Sequence, residues 1–365
     1  MRSAAIKLLA LAGAFATITF VANAPGAERA GGTTSVRPPA TVALIGTGTR
    51  TAFMRVHPST LEPLAGFGRV RLPPHAVFDL SADSTRIAIA TPQQTVIADT
   101  ASGRTLWRER NEGYDVSYGI YWVGRHRKAL PQAIAVGESK FGYEYTAVTV
   151  RGTHGSIDTD LWPAAALRGA LVLLGESLRG EGAVTYYGRG AHPTILLEAP
   201  PTKTTRVVAD VAGDRVFVVY GAGSIAQVDH GVTYHSVPLN DREFDAVWAG
   251  HGQIAIWGPD GLGTIDTRTW STRSLAPAAG GAVPTSFGLV SWHAADGLSV
   301  YARDGRRRLH VLRGKTVRDV SALGRYAYAR VGSQQFAIDL KTGRSRPIRS
   351  NATVVVPTLV TGHVS

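Results

Sequence analysis

The sequence predicts an all-β protein, a closed β-propeller with eight blades of four strands each. A sequence repeat of short apolar strands and tight turns recurs along the chain at a spacing of about 40 residues, which is the length of one propeller blade. The middle strands are apolar on both faces, as in "ALVLLG", "VFVVYG" and "QIAIWG", and this pattern is typical of sheets that stack face to face. No long helical period is found after the N-terminus.

The N-terminal residues predict export. Arg2 and Lys7 flank the start of an apolar run, 8–21, and small residues follow it. This order is that of a secretory signal peptide, residues 1–24, with cleavage up to about residue 27. The alternative is an uncleaved anchor. Residues 25–40 predict a flexible linker, and 41–365 form the propeller domain, which holds no segment apolar enough to span a membrane.

The blades follow in order from residue 41. The first contains "TVALIGTG" and "FMRVHPSTLEPL", and the second reads "STRIAIATPQQTVIADTASGRTLW". The third has apolar runs at 133–137 and 145–151, and the fourth at 170–175 and 183–188. If these two merge, the propeller has seven blades. The remaining copies read "DRVFVVYGAGSIAQVDHGVTYHSV", "GQIAIWGPDGLGTIDTRTWSTRSL", "GLVSWHAADGLSVYARDGRRRLHVL" and "GRYAYARVGSQQFAIDLKTGRSRPI".

A leading strand precedes the later copies, as in "HAVFDLS", "RVVADVA" and "EFDAVWAG". The first copy lacks such a strand, while the C-terminal stretch "NATVVVPTLV", residues 351–360, belongs to no copy. We therefore expect the C-terminal strand to complete the first blade, because this pairing removes an open edge that invites aggregation.

One position of the repeat, at the end of the third strand of a blade, is an aspartate in several copies. We call this position the aspartate slot. It is held by Asp99, Asp229, Asp266 and Asp339, and by His57 in the first copy. We expect each carboxylate to accept backbone N–H groups of the turn that follows. Gly343 supplies a backbone conformation that a Cβ would resist. The slot therefore predicts turn structure rather than catalysis.

Two stretches, "VIADTASGRTLW" and "FAIDLKTGRSRPI", resemble the repeat of pyrroloquinoline-quinone-type propellers, in which Asp and Thr/Ser-Gly-Lys/Arg are often followed by a Trp, here Trp107. "FDLSADSTRIAIA" resembles YVTN-type and TolB-like secreted propellers. The resemblance implies a propeller, commonly of eight blades. It implies no cofactor site, because the quinone alcohol dehydrogenases of this fold use an adjacent Cys pair and this chain has no Cys.

Composition excludes several kinds of chemistry. Without Cys the chain has no disulfide, no thiol catalysis and no Cys-bound zinc. The sequence also lacks the HExxH, P-loop, GxSxG and EF-hand motifs. The net charge of +12 suits an exported protein that meets acidic envelope polymers; the alternative is that Arg supplies solubility. The basic clusters lack interleaved aromatic residues, so no nucleic-acid partner is expected.

Five leading strands carry an aspartate. They are Asp79, Asp115, Asp210, Asp245 and Asp319. If these strands line the central channel, the five carboxylates ring one end of it and attract a cation or a basic ligand. In the alternative, each carboxylate bonds backbone N–H groups of its own blade or of a neighbouring blade.

The middle hairpin of the third copy, residues 138–145, predicts a long aromatic loop outside the sheets. Phe141, Tyr143, Glu144 and Tyr145 are candidate binding residues, because aromatic side chains are enriched at interfaces. The alternative is that the rings pack under the loop. Beside an acidic channel mouth, this loop suits a ligand with an apolar body and a positive group.

These features favour a non-enzymatic, exported binding or scaffold protein of the bacterial cell envelope or exterior. We expect a monomer whose partner is a protein or an envelope polymer. No cofactor is expected beyond a cation at the channel mouth. The alternative is a propeller enzyme, a quinone-dependent oxidoreductase, lyase or hydrolase with its site at that mouth. The fold alone does not separate the two, because propellers carry many functions.

Overall fold

The structure is a computed structural model, and it describes residues 40–46, 50–111, 117–124, 132–139, 142–149, 152–159, 161–176, 182–187, 194–198, 205–221, 223–228, 231–239, 244–349 and 351–361. These residues form eight four-stranded antiparallel sheets, which are the blades. The predicted N-terminal signal peptide and all of the linker except residue 40 lie outside the described residues.

The first four blades contain the strands of the N-terminal half and one strand from the C-terminus. Blade 1 consists of β1 (Val42–Ile45), β2 (Ala52–Arg55), β3 (Arg69–Arg71) and β32 (Thr353–Val354); blade 2 of β4 (Val77–Leu80), β5 (Arg86–Thr91), β6 (Gln94–Asp99) and β7 (Thr105–Arg110); blade 3 of β8 (Ser117–Trp122), β9 (Ala133–Ser139), β10 (Gly142–Thr149) and β11 (Gly152–Thr159); and blade 4 of β12 (Trp162–Leu167), β13 (Ala170–Glu176), β14 (Gly182–Tyr187) and β15 (Thr194–Glu198).

The last four blades each use four consecutive strands. Blade 5 consists of β16 (Arg206–Asp210), β17 (Arg215–Tyr220), β18 (Ser224–Val228) and β19 (Val232–Ser236); blade 6 of β20 (Asp245–Gly250), β21 (Gln253–Gly258), β22 (Gly261–Asp266) and β23 (Thr272–Ala276); blade 7 of β24 (Gly281–Thr285), β25 (Gly288–His293), β26 (Gly297–Tyr301) and β27 (Arg307–Val311); and blade 8 of β28 (Val317–Leu323), β29 (Tyr326–Val331), β30 (Gln334–Asp339) and β31 (Ser345–Ile348). The prediction of eight blades is confirmed.

Burial follows the order of strands within a blade. The second strands are the most buried; β17, for example, is buried at all four of its central positions. Leading strands of neighbouring blades contact one another, as β16 and β20 do. The fourth strands face solvent, as the exposed pattern of β19 and β3 shows. We call these fourth strands the outer strands.

Buried apolar side chains fill the gaps between blades and hold them together. Between blades 5 and 6, for example, Phe217 and Ile225 pack with Ile254 and Ile265. Phe217 also stacks on Trp248 with ring centroids 5.3 Å apart. Comparable clusters join every pair of neighbouring blades, including blade 8 with blade 1. Burial on both faces explains why the middle strands read as continuous apolar runs.

The C-terminal strand completes the first blade, as the sequence predicts. β32 pairs with β1 through Ala43 and Val354. The chain then continues along the ends of blades 2 and 3 into the helix α1 (Thr358–Thr361). The Thr358 N–H donates to Asp79 of blade 2, and Leu359 is buried against blade 3. The C-terminus is therefore tied to three blades.

The recurring aspartate slot has the predicted turn geometry wherever the structure describes it. The bonds run from the backbone N–H groups of Ala101 and Ser102 to Asp99 (3.1 and 2.7 Å), of Arg268 and Thr269 to Asp266 (2.8 and 3.2 Å), of Lys341 to Asp339 (2.9 Å) and of Ser59 to the His57 ring (3.3 Å). Gly343 has a φ of 75°, which favours glycine. The Arg325 guanidinium beside Asp339 holds the pKa of that carboxyl well below its usual range. Asp229 lies outside the described residues.

Within the part of the chain that the structure describes, no helix has the length and apolar character needed to cross a membrane.

Candidate functional site

The ends of the strands define two faces of the propeller. In an antiparallel sheet, the start of the first strand and the hairpin between the second and third strands lie at the same end. Arg206 opens β16 and its guanidinium lies 3.1 Å from the carboxylate of Asp245, which opens β20. Neighbouring leading strands therefore begin on the same face. We call the face that carries these starts and the second hairpins the connection face.

The four candidate aspartates that the structure describes do not all lie at the same end of their leading strands. Asp245 opens its strand and Asp319 lies near the start of β28, whereas Asp210 ends β16 and Asp79 lies near the end of β4. The first pair is at the connection face and the second pair is toward the opposite face. Asp245 and Asp210, which open and end their strands, are therefore on opposite faces, and the four carboxylates do not form one ring at a single end. Asp115 lies outside the described residues.

The cation at the channel mouth is not supported by geometry either. No group of three or more His, Asp or Glu side chains close enough to hold a metal ion occurs among the residues that the structure describes. A binding role for the individual aspartates stays a prediction.

Asp79 ties three parts of the fold together. Its carboxylate accepts the N–H of Leu80 (2.8 Å), of Trp122 in blade 3 (2.7 Å) and of Thr358 in α1 (3.1 Å). The residue is buried, with 3% of its surface exposed. Burial raises the pKa of Asp79 to about 6, although the three N–H donors act in the opposite direction. The bonding of backbone N–H groups across blades, the alternative drawn from the sequence, is what the structure shows here.

Asp210 has a comparable local role. Its carboxylate accepts the Gly213 N–H at 3.0 Å and lies 2.7 Å from the Arg215 guanidinium. Arg215 in turn lies over the ring of Trp248. These contacts fix the first hairpin of blade 5 against blade 6.

The hairpin of blade 3 corrects another expectation. Residues 138–145 do not form a long loop outside the sheets, because β9 runs to Ser139 and β10 starts at Gly142. Tyr143 pairs with Glu138 and Tyr145 pairs with Val136. The alternation Tyr-Glu-Tyr is the period of two that a strand shows, and the polar residues beside it obscured that period in the sequence.

Tyr145 is a core residue. Its ring is fully buried, its hydroxyl donates to the Leu161 carbonyl of the segment that leads into blade 4, and burial raises its pKa well above the usual range. For Tyr145, the alternative that the ring packs inside the protein is therefore correct. Tyr143 and Glu144 are half-buried, so their binding role stays a prediction. Phe141 lies outside the described residues.

A hollow that the sequence did not single out lies between blades 5 and 6 on the connection face. It has a volume of ≈ 220 Å³. Its lining includes Leu239 and Phe244 from the connection between the blades, Ile256 from β21, and Gly263 and Ser274 from the next two strands. We call this site the blade 5–6 hollow.

Gly263 creates the hollow. It pairs with Ile256 on one side and with Ser274 on the other, so these three positions share one face of the sheet. Ile265, two residues on, packs into the apolar cluster shared with blade 5, which identifies that face. Gly263 has no positive φ, and an added Cβ would lie 3.1 Å from the Arg273 carbonyl. The φ angle therefore does not demand glycine here, although a side chain would require the Arg273 carbonyl to shift by a few tenths of an ångström, and the missing side chain leaves the space.

The sequence carries a weak signal for this site. The stretch "GPDGLGTID" has glycines two positions apart at the start of a strand. Glycine within a strand often marks a bulge or a close approach of a ligand or of another backbone. Gly261 is explained by its φ of 108° in the turn, whereas Gly263 is not, and only the structure separates the two.

The polar groups lie at the edge of the hollow. Asp260, in the hairpin between β21 and β22, is exposed, as are Thr272 and Ser274 of the outer strand β23. The apolar interior can take an apolar group, and the exposed Asp260 can pair with a positive one, whereas the guanidinium of Arg273, which also lines the hollow, donates to the Asp304 carbonyl.

A second, larger pocket lies between blades 6 and 7. It has a volume of ≈ 530 Å³ and is lined by His293, Asp296, Tyr301 and Arg307, among others. His293 accepts the Ala295 N–H at Nδ1 (3.4 Å). The pocket therefore brings together side chains that can move a proton.

Comparison with known proteins gives the fold. No family model matches the chain, and no curated protein does either. Among solved structures, dihydro-heme d1 dehydrogenase NirN in complex with DHE is 13% identical, with a TM-score of 0.53 over 88% of this chain and 75% of that one. A eukaryotic initiation factor is 13% identical, with a TM-score of 0.52 over 87% of this chain and 99% of that one.

A third structure, BamB from Moraxella catarrhalis, is 10% identical, with a TM-score of 0.47 over 87% of this chain and 91% of that one. At such identities structural likeness shows the fold and not the function. Together with the eight sheets, the likeness establishes that this chain is an eight-bladed β-propeller.

Proposed function

We propose that this propeller is an exported, non-enzymatic binding protein of the bacterial cell envelope or exterior, and that its partner seats one apolar side chain in the blade 5–6 hollow. The volume of the hollow, ≈ 220 Å³, supports this proposal. Sites that enclose a whole organic ligand measure about 300–1,000 Å³. The hollow is smaller, and it suits a single side chain of a protein partner better than a quinone cofactor.

The occupant's chemistry follows from the walls. Leu239, Phe244 and Ile256 surround an apolar side chain, and the partner's apolar surface supplies the binding free energy when it leaves water. Asp260 at the mouth favours a neighbouring Lys or Arg on the partner. We therefore propose a partner segment with an aliphatic or aromatic residue beside a basic one.

Selection from displayed random peptides tests this function. The immobilised wild-type propeller should enrich peptides that contain an apolar residue next to Lys or Arg. The Gly263→Val variant, whose new side chain fills the hollow, should not enrich them. Gly231→Val is the matched control, because an added Cβ there meets no atom within 4 Å and lies outside the hollow. Equal enrichment by all three proteins would contradict the proposal.

The pocket between blades 6 and 7 favours a second candidate, a propeller enzyme. Its volume of ≈ 530 Å³ falls in the usual range for small-molecule sites, and His293 and Asp296 are groups that can transfer protons. Incubation with pyrroloquinoline quinone and calcium, followed by a dye-reduction assay, tests the oxidoreductase form of this candidate. Turnover that is lost in His293→Gln would favour the enzyme over the binding protein.

A further inference from the structure

The outer strands of five consecutive blades carry an unusual charge. In ring order these are β23, β27, β31, β3 and β7, of blades 6, 7, 8, 1 and 2. Together these strands contain eight Arg and one Glu. The arginines are Arg273, Arg307, Arg308, Arg346, Arg69, Arg71, Arg108 and Arg110, and all eight are exposed. We call this band the arginine rim.

The other three blades lack this charge. The outer strands β11, β15 and β19 contain one Asp, one Glu and no Arg or Lys. Among the outer strands, the basic residues are therefore confined to one continuous part of the ring. A role in solubility alone would not require such sorting, because charges spread over the whole surface serve that purpose.

The arginines of the rim are not neutralised by nearby carboxylates. In the described part of the chain, no salt bridge joins any of the eight to an Asp or Glu. By contrast, arginines elsewhere, such as Arg215 and Arg325, are paired with Asp210 and Asp339. Arg273 and Arg308 each donate to a backbone carbonyl, and all eight side chains remain exposed and without a carboxylate partner among the described residues.

A cleft between blades 1 and 2 gives the rim a defined anion site. Arg71 and Arg108 come from the outer strands of these two blades, and both line a pocket of ≈ 200 Å³. Thr91, Gln94 and Thr105 also line it, whereas none of its lining residues in the described chain is acidic. Two guanidinium groups with hydroxyl and amide groups around them match a phosphate or carboxylate, which Arg can bind with two parallel hydrogen bonds.

We propose that the arginine rim binds a linear anionic polymer without bases, such as a phosphate-linked envelope polymer, with the Arg71–Arg108 cleft as its anchor. A chain molecule can follow a convex rim over several blades, whereas a flat membrane touches a convex edge at few points. A single-stranded nucleic acid needs aromatic rings for base stacking. The five strands contain a single Phe, Tyr or Trp residue, Trp107, which is half-buried. Arg273 of the rim also lines the blade 5–6 hollow, but the Arg71–Arg108 cleft lies between other blades and the variants described below leave Arg273 unchanged, so either proposal can fail alone.

Inorganic polyphosphate is the probe for this proposal, and binding is measured by calorimetry over a range of salt concentrations. The combined variant replaces one arginine on each of four neighbouring blades, Arg307→Gln, Arg346→Gln, Arg71→Gln and Arg108→Gln. We expect affinity to fall at least about tenfold, and the slope of log affinity against log salt to decrease by about 3, at ~0.7 for each lost contact. An unchanged slope would overturn the proposal.

The matched control removes the same charge from other places. Arg313→Gln, Lys315→Gln, Arg318→Gln and Arg330→Gln change exposed residues that lie outside the outer strands. This control should keep the wild-type slope; an equal loss in the control would show unspecific attraction and overturn the rim as a site. Vesicles with anionic phosphatidylglycerol and a thymidylate oligomer of equal charge complete the test. Rim-dependent binding of vesicles but not of polyphosphate, or tenfold tighter binding of the oligomer, would also overturn it.

Discussion

The hydroxyl of Tyr328 in blade 8 donates a 2.8 Å hydrogen bond to the carbonyl of Pro58 in blade 1, although 270 positions separate the two residues in the chain. Around this bond, a buried apolar cluster that includes Ala43 and Val354 joins the two blades. The first and last blades are therefore held by packing, by this hydrogen bond and by the pairing of β32 with β1.

Removal of residues 351–365 should open the ring. The deletion takes away the partner of β1 and exposes a strand edge, which favours pairing with another chain. We expect a lower melting temperature and oligomers in light scattering. Removal of 358–365 alone keeps β32 and should leave the protein monomeric, with a smaller loss of stability. A monomer of unchanged melting temperature after the longer deletion would show that closure does not depend on β32.

Asp79 should make stability depend on pH. Because burial raises its pKa to about 6, the folded protein holds a proton between about pH 4 and pH 6 that the unfolded chain releases. The contribution of Asp79 to the free energy of unfolding is therefore largest below pH 4 and declines as pH rises to 6, by on the order of 2–3 kcal/mol.

Urea unfolding of wild type and Asp79→Asn at pH 4.5 and 7.5 measures this contribution. Wild type should exceed the variant by more at pH 4.5 than at pH 7.5, because Asn does not titrate. A larger difference between wild type and variant at pH 7.5 than at pH 4.5 would contradict this. It would mean that the three N–H donors outweigh burial and keep the carboxylate ionised.

Tyr145 and Tyr143 should differ strongly when each is replaced by Ala. Tyr145 is fully buried, so Tyr145→Ala should lower the free energy of unfolding by about 3–5 kcal/mol. Tyr143 is half-buried, and Tyr143→Ala should cost about 1 kcal/mol. Denaturant titrations measure both. Similar small losses would place Tyr145 at the surface and restore it as a binding candidate.

The sequence predicted the fold well because repeat spacing and apolar strands report directly on stacked sheets. It also predicted the aspartate turns, because an Asp such as Asp339 acts on N–H groups two or three residues away. The site was less predictable. Whether Asp79 and Asp245 meet depends on their distance from the strand ends, and whether Tyr145 is buried depends on the neighbouring blade. The space left by Gly263 depends on which face of β22 meets blade 5.

Titration of one selected peptide into the wild-type protein and three variants tests most directly whether the blade 5–6 hollow receives a partner's apolar side chain. In Gly263→Val the new side chain fills the hollow and should raise the dissociation constant of the peptide about tenfold or more. Steric changes of one or two methyl groups in a pocket have effects of this size. Gly263→Ala should show a smaller effect, and it keeps the test valid if the Val variant does not fold. Gly231→Val should bind as wild type does. Dissociation constants that agree within about twofold across folded variants would contradict the claim.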